Sequence, residues 1–183
     1  SLARWLNDAN ILKFYSNYYR GDRGFSGTLN LPSNSEYQDR NLRNLLEWKS
    51  FFGEFTSSLK LAWITEKFRY YENRDSENFS SGEAGTAIIK YDLAYEFSSG
   101  VKLNLIADYT DARGEGSEIE DPERKIGGFS ALWNQQLGKL NYELSLRQEV
   151  TENYNSPLLF SAGGNYRFSD KYLLRISTSR NFR

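Results

Sequence analysis

Residues Lys139–Val150 read KLNYELSLRQEV, and this stretch decides the fold. Leu140, Tyr142, Leu144, Leu146 and Val150 fall on one side of an alternation, with Asn141, Glu143, Ser145, Arg147 and Glu149 on the other. A 3.6-residue period would instead gather Lys139, Glu143, Leu146 and Arg147 on one face. The segment is a long strand with one apolar and one charged side.

The same alternation recurs in both directions along the chain. Ile89, Tyr91, Leu93, Tyr95 and Phe97 oppose Lys90, Asp92, Ala94 and Glu96, and Val101, Leu103, Leu105, Ala107 and Tyr109 oppose Lys102, Asn104, Ile106 and Asp108. Further rows contain Leu12, Phe14 and Tyr18; Leu46 and Trp48; Leu59, Leu61 and Trp63; Phe129, Ala131 and Trp133; Phe160 and Tyr166; and Leu174 and Ile176. Nine strands of roughly ten residues are expected, long against a globular mode of about 5–6. Residues 1–9 offer part of a tenth. No helical pattern competes.

The connections alternate in length. Long polar ones are expected near residues 20–40, 72–85, 110–125 and 151–156, and short ones at Gly53, Gly100, Gly138 and Ser169-Asp170. In an up-and-down meander every second connection lies at the same end. One end therefore has tight turns and the other long loops, as in outer-membrane barrels.

Composition agrees. The 183 residues are 16% aromatic, yet mean hydropathy is −0.68. With 23 basic and 24 acidic side chains the net charge is −1, which gives no electrostatic footprint for nucleic acid. There is no His and no Cys, so disulfides, thiolate chemistry and imidazole catalysis are excluded. No run of apolar residues is long enough for a transmembrane helix. The chain opens SLARWLND, with neither an initiator Met nor a signal peptide, and reads as an excerpt.

Two features orient the apolar rows toward lipid. The opposite rows carry Lys90, Asp92, Glu96, Lys139, Glu143, Arg147, Arg167 and Arg175, which suit a wet lumen. A cation facing lipid at the midplane costs about 2–4 kcal/mol. Aromatics also gather beside the short turns: Phe51, Phe52, Phe55, Tyr95, Phe97, Trp133, Tyr166, Phe168 and Tyr172. That is the depth of an interfacial girdle. The expected fold class is all-β, an antiparallel up-and-down transmembrane β-barrel fragment of nine or ten strands. Residues 1–183 form part of a single barrel domain.

Specific residues then resemble a known family. YYRGDRGFSGTLNLPSNSEYQDRN (18–41) looks like a loop of TonB-dependent outer-membrane receptors of the cobalamin and siderophore class. In that loop a Tyr-rich strand leads into an Arg-Gly-x-x-Gly turn, a Pro, and a Gln-Asp-Arg-Asn start to the descending strand. FSAGGNYRFSDKYLLRISTSRNFR (160–183) is similar to a late-barrel hairpin of the same family. The resemblance implies uptake of a metal-chelate or cobalamin-like nutrient through a 22-stranded barrel. Its implied partners are the lipid bilayer, a plug domain, TonB acting through that plug, and the small nutrient ligand. This sequence has no plug and no TonB box, and reads as a middle-to-late portion of the barrel in a bacterial outer membrane. A passive porin-type barrel and a soluble ligand-binding β-barrel are the alternatives.

Site signals are sparse. Arg20, Arg23 and Phe25 stand where a barrel mouth could meet a ligand, with Gly21, Gly24 and Gly27 expected to supply turn conformations. The acidic stretch 108–124 offers Asp108, Asp111, Glu118 and Asp121 as oxygen ligands for Ca²⁺, without EF-hand spacing. Gly24-Phe-Ser-Gly lacks a nucleophile-elbow spacing, and no carboxylate pair is fixed for glycosidase chemistry. No enzyme activity is expected, and no cofactor beyond that calcium. In detergent-free buffer the chain is expected to self-associate through its apolar rows and strand edges. A monodisperse monomer by light scattering would contradict the membrane reading.

Overall fold

The computed structural model describes residues 1–28, 30–97, 100–116, 123–152 and 154–181. It is built of ten strands with no helix among the described residues: β1 (Leu2–Asn7), β2 (Asn10–Gly24), β3 (Glu36–Phe52), β4 (Phe55–Tyr71), β5 (Ser80–Phe97), β6 (Val101–Gly116), β7 (Glu123–Leu137), β8 (Leu140–Thr151), β9 (Leu159–Ser169) and β10 (Tyr172–Arg180). They form one sheet in chain order, every neighbouring pair antiparallel. The tenth strand is the short β1 at the start of the chain. β1 and β10 do not pair with one another, so among the described residues the sheet is open at both edges.

Five short turns lie at one end. Gly53, Gly100 and Gly138 hold φ of 59°, 73° and 57° there, left-handed backbone that a Cβ would disfavour. At the other end the strands run further than the alternation suggests. β2 continues to Gly24 and β3 begins at Glu36, which shortens the loop expected over 20–40 to residues 25–35. Gly21 and Gly24 consequently lie in extended strand, where a turn was expected, and neither has positive φ. The physical reason is that the backbone ladder continues beyond the point where one face stops being apolar. Period two disappears from the sequence there, while the hydrogen bonds persist.

The alternation sorts onto two faces without a break in register from β2 to β8. Along β8, Leu144, Leu146 and Val150 are exposed, while Ser145, Arg147 and Glu149 between them are half-buried. β5 repeats this, with Ile89 and Tyr91 exposed beside half-buried Lys90 and Asp92. Phe129 is 55% exposed, whereas the Asp108 and Glu47 side chains are 18% and 15% exposed. Since both faces share one backbone, the charged side is the side on which side chains converge. It is the concave face, and the apolar face is convex. This inverts the pattern of a soluble barrel.

No dry core exists on either side. Ile11 and Val101 are the buried apolar residues among those described, and no large side chain is fully buried. The accessible surface is 13643 Å². A compact monomer of 21.2 kDa would expose about 9,100 Å². The excess reflects an open sheet with both faces accessible and no packed core.

On the convex face the apolar band spans nine residues in each central strand: Phe55 to Trp63, Ile89 to Phe97 and Val101 to Tyr109. That is about 27 Å along a strand and roughly 21 Å of height at a 40° tilt, against about 25 Å for a membrane-barrel band. At its turn end, ring contacts run from Phe52 to Phe55 (5.5 Å), Tyr95 (4.3 Å), Phe97 (4.2 Å) and Trp133 (6.0 Å), with Tyr166 on Phe168 (4.7 Å) beyond. Phe51 departs from the expected girdle. It alternates to the concave side and stacks on Trp5 at 6.2 Å. In a lipid-vesicle folding assay, Leu144→Arg is expected to cost about 2–4 kcal/mol while Glu143→Arg folds as wild type. Equal effects would overturn the face assignment.

Candidate functional site

The concave face holds a lattice of ion pairs that crosses the sheet. Lys13 lies 3.6 Å from Glu47, Lys60 3.8 Å from Glu47 and 3.3 Å from Asp92, and Lys90 3.6 Å from Asp92. Arg147 then reaches from β8 over β7 to grip both oxygens of Asp108 on β6, at 2.7 and 3.0 Å. It also donates to Ser130 at 3.1 Å and to Glu149 at 2.9 Å. A strand apart from its partner, the guanidinium can make this crossing because Gly128 lies beneath it. A Cβ at Gly128 would fall 2.4 Å from Arg147 Nη2. Lys13, Lys60, Lys90 and Arg147 are matched by Glu47, Asp92, Asp108 and Glu149, four charges of each sign. A lining of this kind, charged and internally paired, suits water and polar solutes.

Toward the long-loop end, the concave face becomes aromatic. Tyr37 stacks on Phe68 at 5.7 Å, Arg23 lies 5.3 Å over the Tyr37 ring, and Arg23 pairs with Asp39. Phe68 lies flat on Gly82, where an added Cβ would stand 2.4 Å from the ring, and Tyr19 covers Gly21 in the same way. A cleft of about 370 Å³ opens here between Tyr37, Asp39, Asn41, Glu66 and Phe68. Asp39 Oδ1 is buried within it without a hydrogen-bond partner. The loops above are clasped: Asn34 donates to Asn73 and Asp75, each at 2.7 Å, and Arg74 N–H bonds the Asn34 carbonyl at 2.9 Å.

The three residues expected at the mouth are divided between faces. Arg23 belongs to the concave cluster, and Phe25, just past β2, meets the edge of Tyr70 at 6.2 Å. Arg20 is three residues from Arg23 in the same strand and so projects from the convex side, 3.4 Å from Asp22. The expected calcium set is not assembled by its described members. Asp108 and Asp111 differ by an odd number along β6 and face opposite sides, Asp108 bound to Arg147 and Asp111 to Arg113 at 3.2 Å. Two carboxylates separated by a sheet cannot share one ion. Glu118 and Asp121 lie outside the described residues. Beyond the apolar band, Lys125 is held above its ordinary pKa by its hydrogen bond to Glu123 and that carboxylate's charge. Arg113 is raised likewise by Asp111.

No family model matches the chain. No curated protein matches it either. Among solved structures, the translocator domain of the autotransporter NalP from Neisseria meningitidis is similar over 98% of this chain and 71% of its own, with 11% identity and a TM-score of 0.42. The functional reading rests on this chain's own residues.

Sequence reasoning missed Gly128 and the Tyr37–Phe68 pair. Both depend on cross-strand register, which counting inward from the Gly53 and Gly138 turns recovers. Gly128→Ala, ordinarily harmless in extended backbone, is expected to displace Arg147 and cost about 1 kcal/mol in a urea titration of the vesicle-bound protein. Most of that cost should vanish in an Arg147→Ala background. An undiminished cost would show that the glycine serves something else.

Proposed function

We propose that this chain forms part of the wall of a transmembrane β-barrel in a bacterial outer membrane, with its convex face to lipid and its charged concave face to a water-filled lumen. One observation supports this above all: the apolar rows are the exposed ones and the charged rows the sheltered ones, the reverse of what water selects. A spanning sheet must also satisfy its backbone internally. β1 and β10, unpaired with each other, therefore call for further strands, and the ten described here are a segment of a larger barrel. In this reading the protein is a conduit and not an enzyme.

The finer proposal is a receptor of the TonB-dependent class importing a metal-chelate or cobalamin-like nutrient. Support comes from the 18–41 and 160–183 resemblances and from the aromatic and ion-paired cluster around Arg23, Tyr37 and Phe68 at the mouth. In such a receptor that cluster would meet the ligand, and the plug would come from sequence outside this segment. The charged, ion-paired concave face also suits a passive pore. The two readings separate in a planar bilayer carrying the full-length protein. A plugged receptor gives no steady current, whereas a porin gives ohmic conductance. Failure of the full-length protein to fold into phosphatidylcholine vesicles with a protease-protected band would remove both.

A further inference from the structure

On the convex face the apolar rows of β2, β3 and β4 end at a common level. The last row, Tyr18–Leu42–Thr65, gives way to Arg20–Arg40–Lys67, each residue directly opposite the next. The row continues with Glu83 and Glu115 on β5 and β6. One step beyond, Arg69 stands opposite Gln38 and Ser81. Three cations in consecutive cross-strand pairs repel one another, an arrangement that weakens a sheet by itself.

Neighbouring carboxylates answer only the ends of this row. Arg20 has Asp22 at 3.4 Å and Lys67 has Glu83 at 2.7 Å. Arg69 lies 4.9 Å over the Phe79 ring, with no carboxylate partner among the described residues. Arg40, in the middle, is exposed and has no hydrogen bond or ion pair among the described residues. A cleft of about 340 Å³ runs past Arg40, Lys67, Arg69, Gln38 and Ser81, with Glu83 and Glu115 at its far side. Two rows below Lys67 stands Trp63 and three rows below Arg20 stands Phe14, their rings 6.4 Å apart in the apolar band.

We propose that this row binds the phosphate headgroup of an anionic lipid. The inference rests on the membrane-barrel reading above, since it places the cations at the depth where acyl chains end and headgroups begin. Guanidinium groups match phosphate oxygens bidentately. An anion bridging Arg40 and Arg69 would relieve the like-charge row, while the Phe14–Trp63 surface seats the attached chain. An apolar surface that starts at Tyr18 and Leu42 beneath the cations and continues to Trp63 and Phe14 favours a lipid over a free phosphate.

The test refolds the full-length protein in zwitterionic detergent micelles with equal phosphatidylglycerol and phosphatidylcholine, and reads retained lipid by native mass spectrometry. Wild type should retain phosphatidylglycerol about tenfold over phosphatidylcholine. Arg40→Gln with Arg69→Gln should bring the ratio near parity, and Arg40→Lys with Arg69→Lys should keep most of it. Arg124→Gln, on the concave face, should leave it unchanged. No preference in wild type would overturn the proposal. So would an equal loss from Arg124→Gln, or complete displacement of the lipid by millimolar inorganic phosphate. A full-length protein that folds but shows no preference removes this inference alone, whereas a full-length protein that folds in no micelle removes the barrel reading with it.

Discussion

The register of the backbone ladder governs everything else in this molecule. From β2 to β8 each residue has a defined partner, and a slip of one residue on any strand would carry its leucines to the charged side and its charges to the apolar side. A soluble sheet would be corrected against such a slip by a core. Here no core exists, and Ile11 and Val101 are too few to act as one. Register is fixed instead by tight turns at one end, three of them on left-handed glycines, and by ion pairs that close only when the strands are aligned.

Those ion pairs explain how so many charges can occupy a sheltered face. An isolated exposed pair contributes little, about 0–1 kcal/mol. Asp108, Arg147 and Glu149 differ because each charge is met by another within a narrow concave space, and Ser130 takes up a further donor. Gly128 allows the guanidinium to lie across the intervening strand. The glycine is therefore a packing decision made for an arginine, not a conformational one, since its φ is not positive.

The two ends of the sheet divide the labour. At the turn end, the convex rings from Phe52 to Trp133 form a continuous band, while the concave side carries the separate Trp5–Phe51 stack. At the loop end, the pattern is reversed: aromatics move to the concave side around Tyr37 and Phe68, while cations occupy the convex rim at Arg20, Arg40 and Lys67. This exchange marks where the apolar band stops. It also separates a lumen-facing cluster suited to planar or polar ligands from a rim suited to anions.

Strand number, strand faces, turn positions and the asymmetry of the loops were all legible in the residues, because inside the apolar band burial writes period two directly into the sequence. KLNYELSLRQEV divides into an apolar and a charged side by its residues alone. Outside the band that signal is lost. Nothing in the composition of 18–27 distinguishes a loop from a protruding strand, and the parity rule that puts Arg20 and Arg23 on opposite faces applies only to a strand. The same holds for Asp108 and Asp111, an acidic cluster in sequence and opposite faces in space. The residues alone specify a single antiparallel meander with a greasy side and a charged side. Which side is sheltered, which charges meet and which cations stand in line follow from curvature and from pairing between strands distant in the chain.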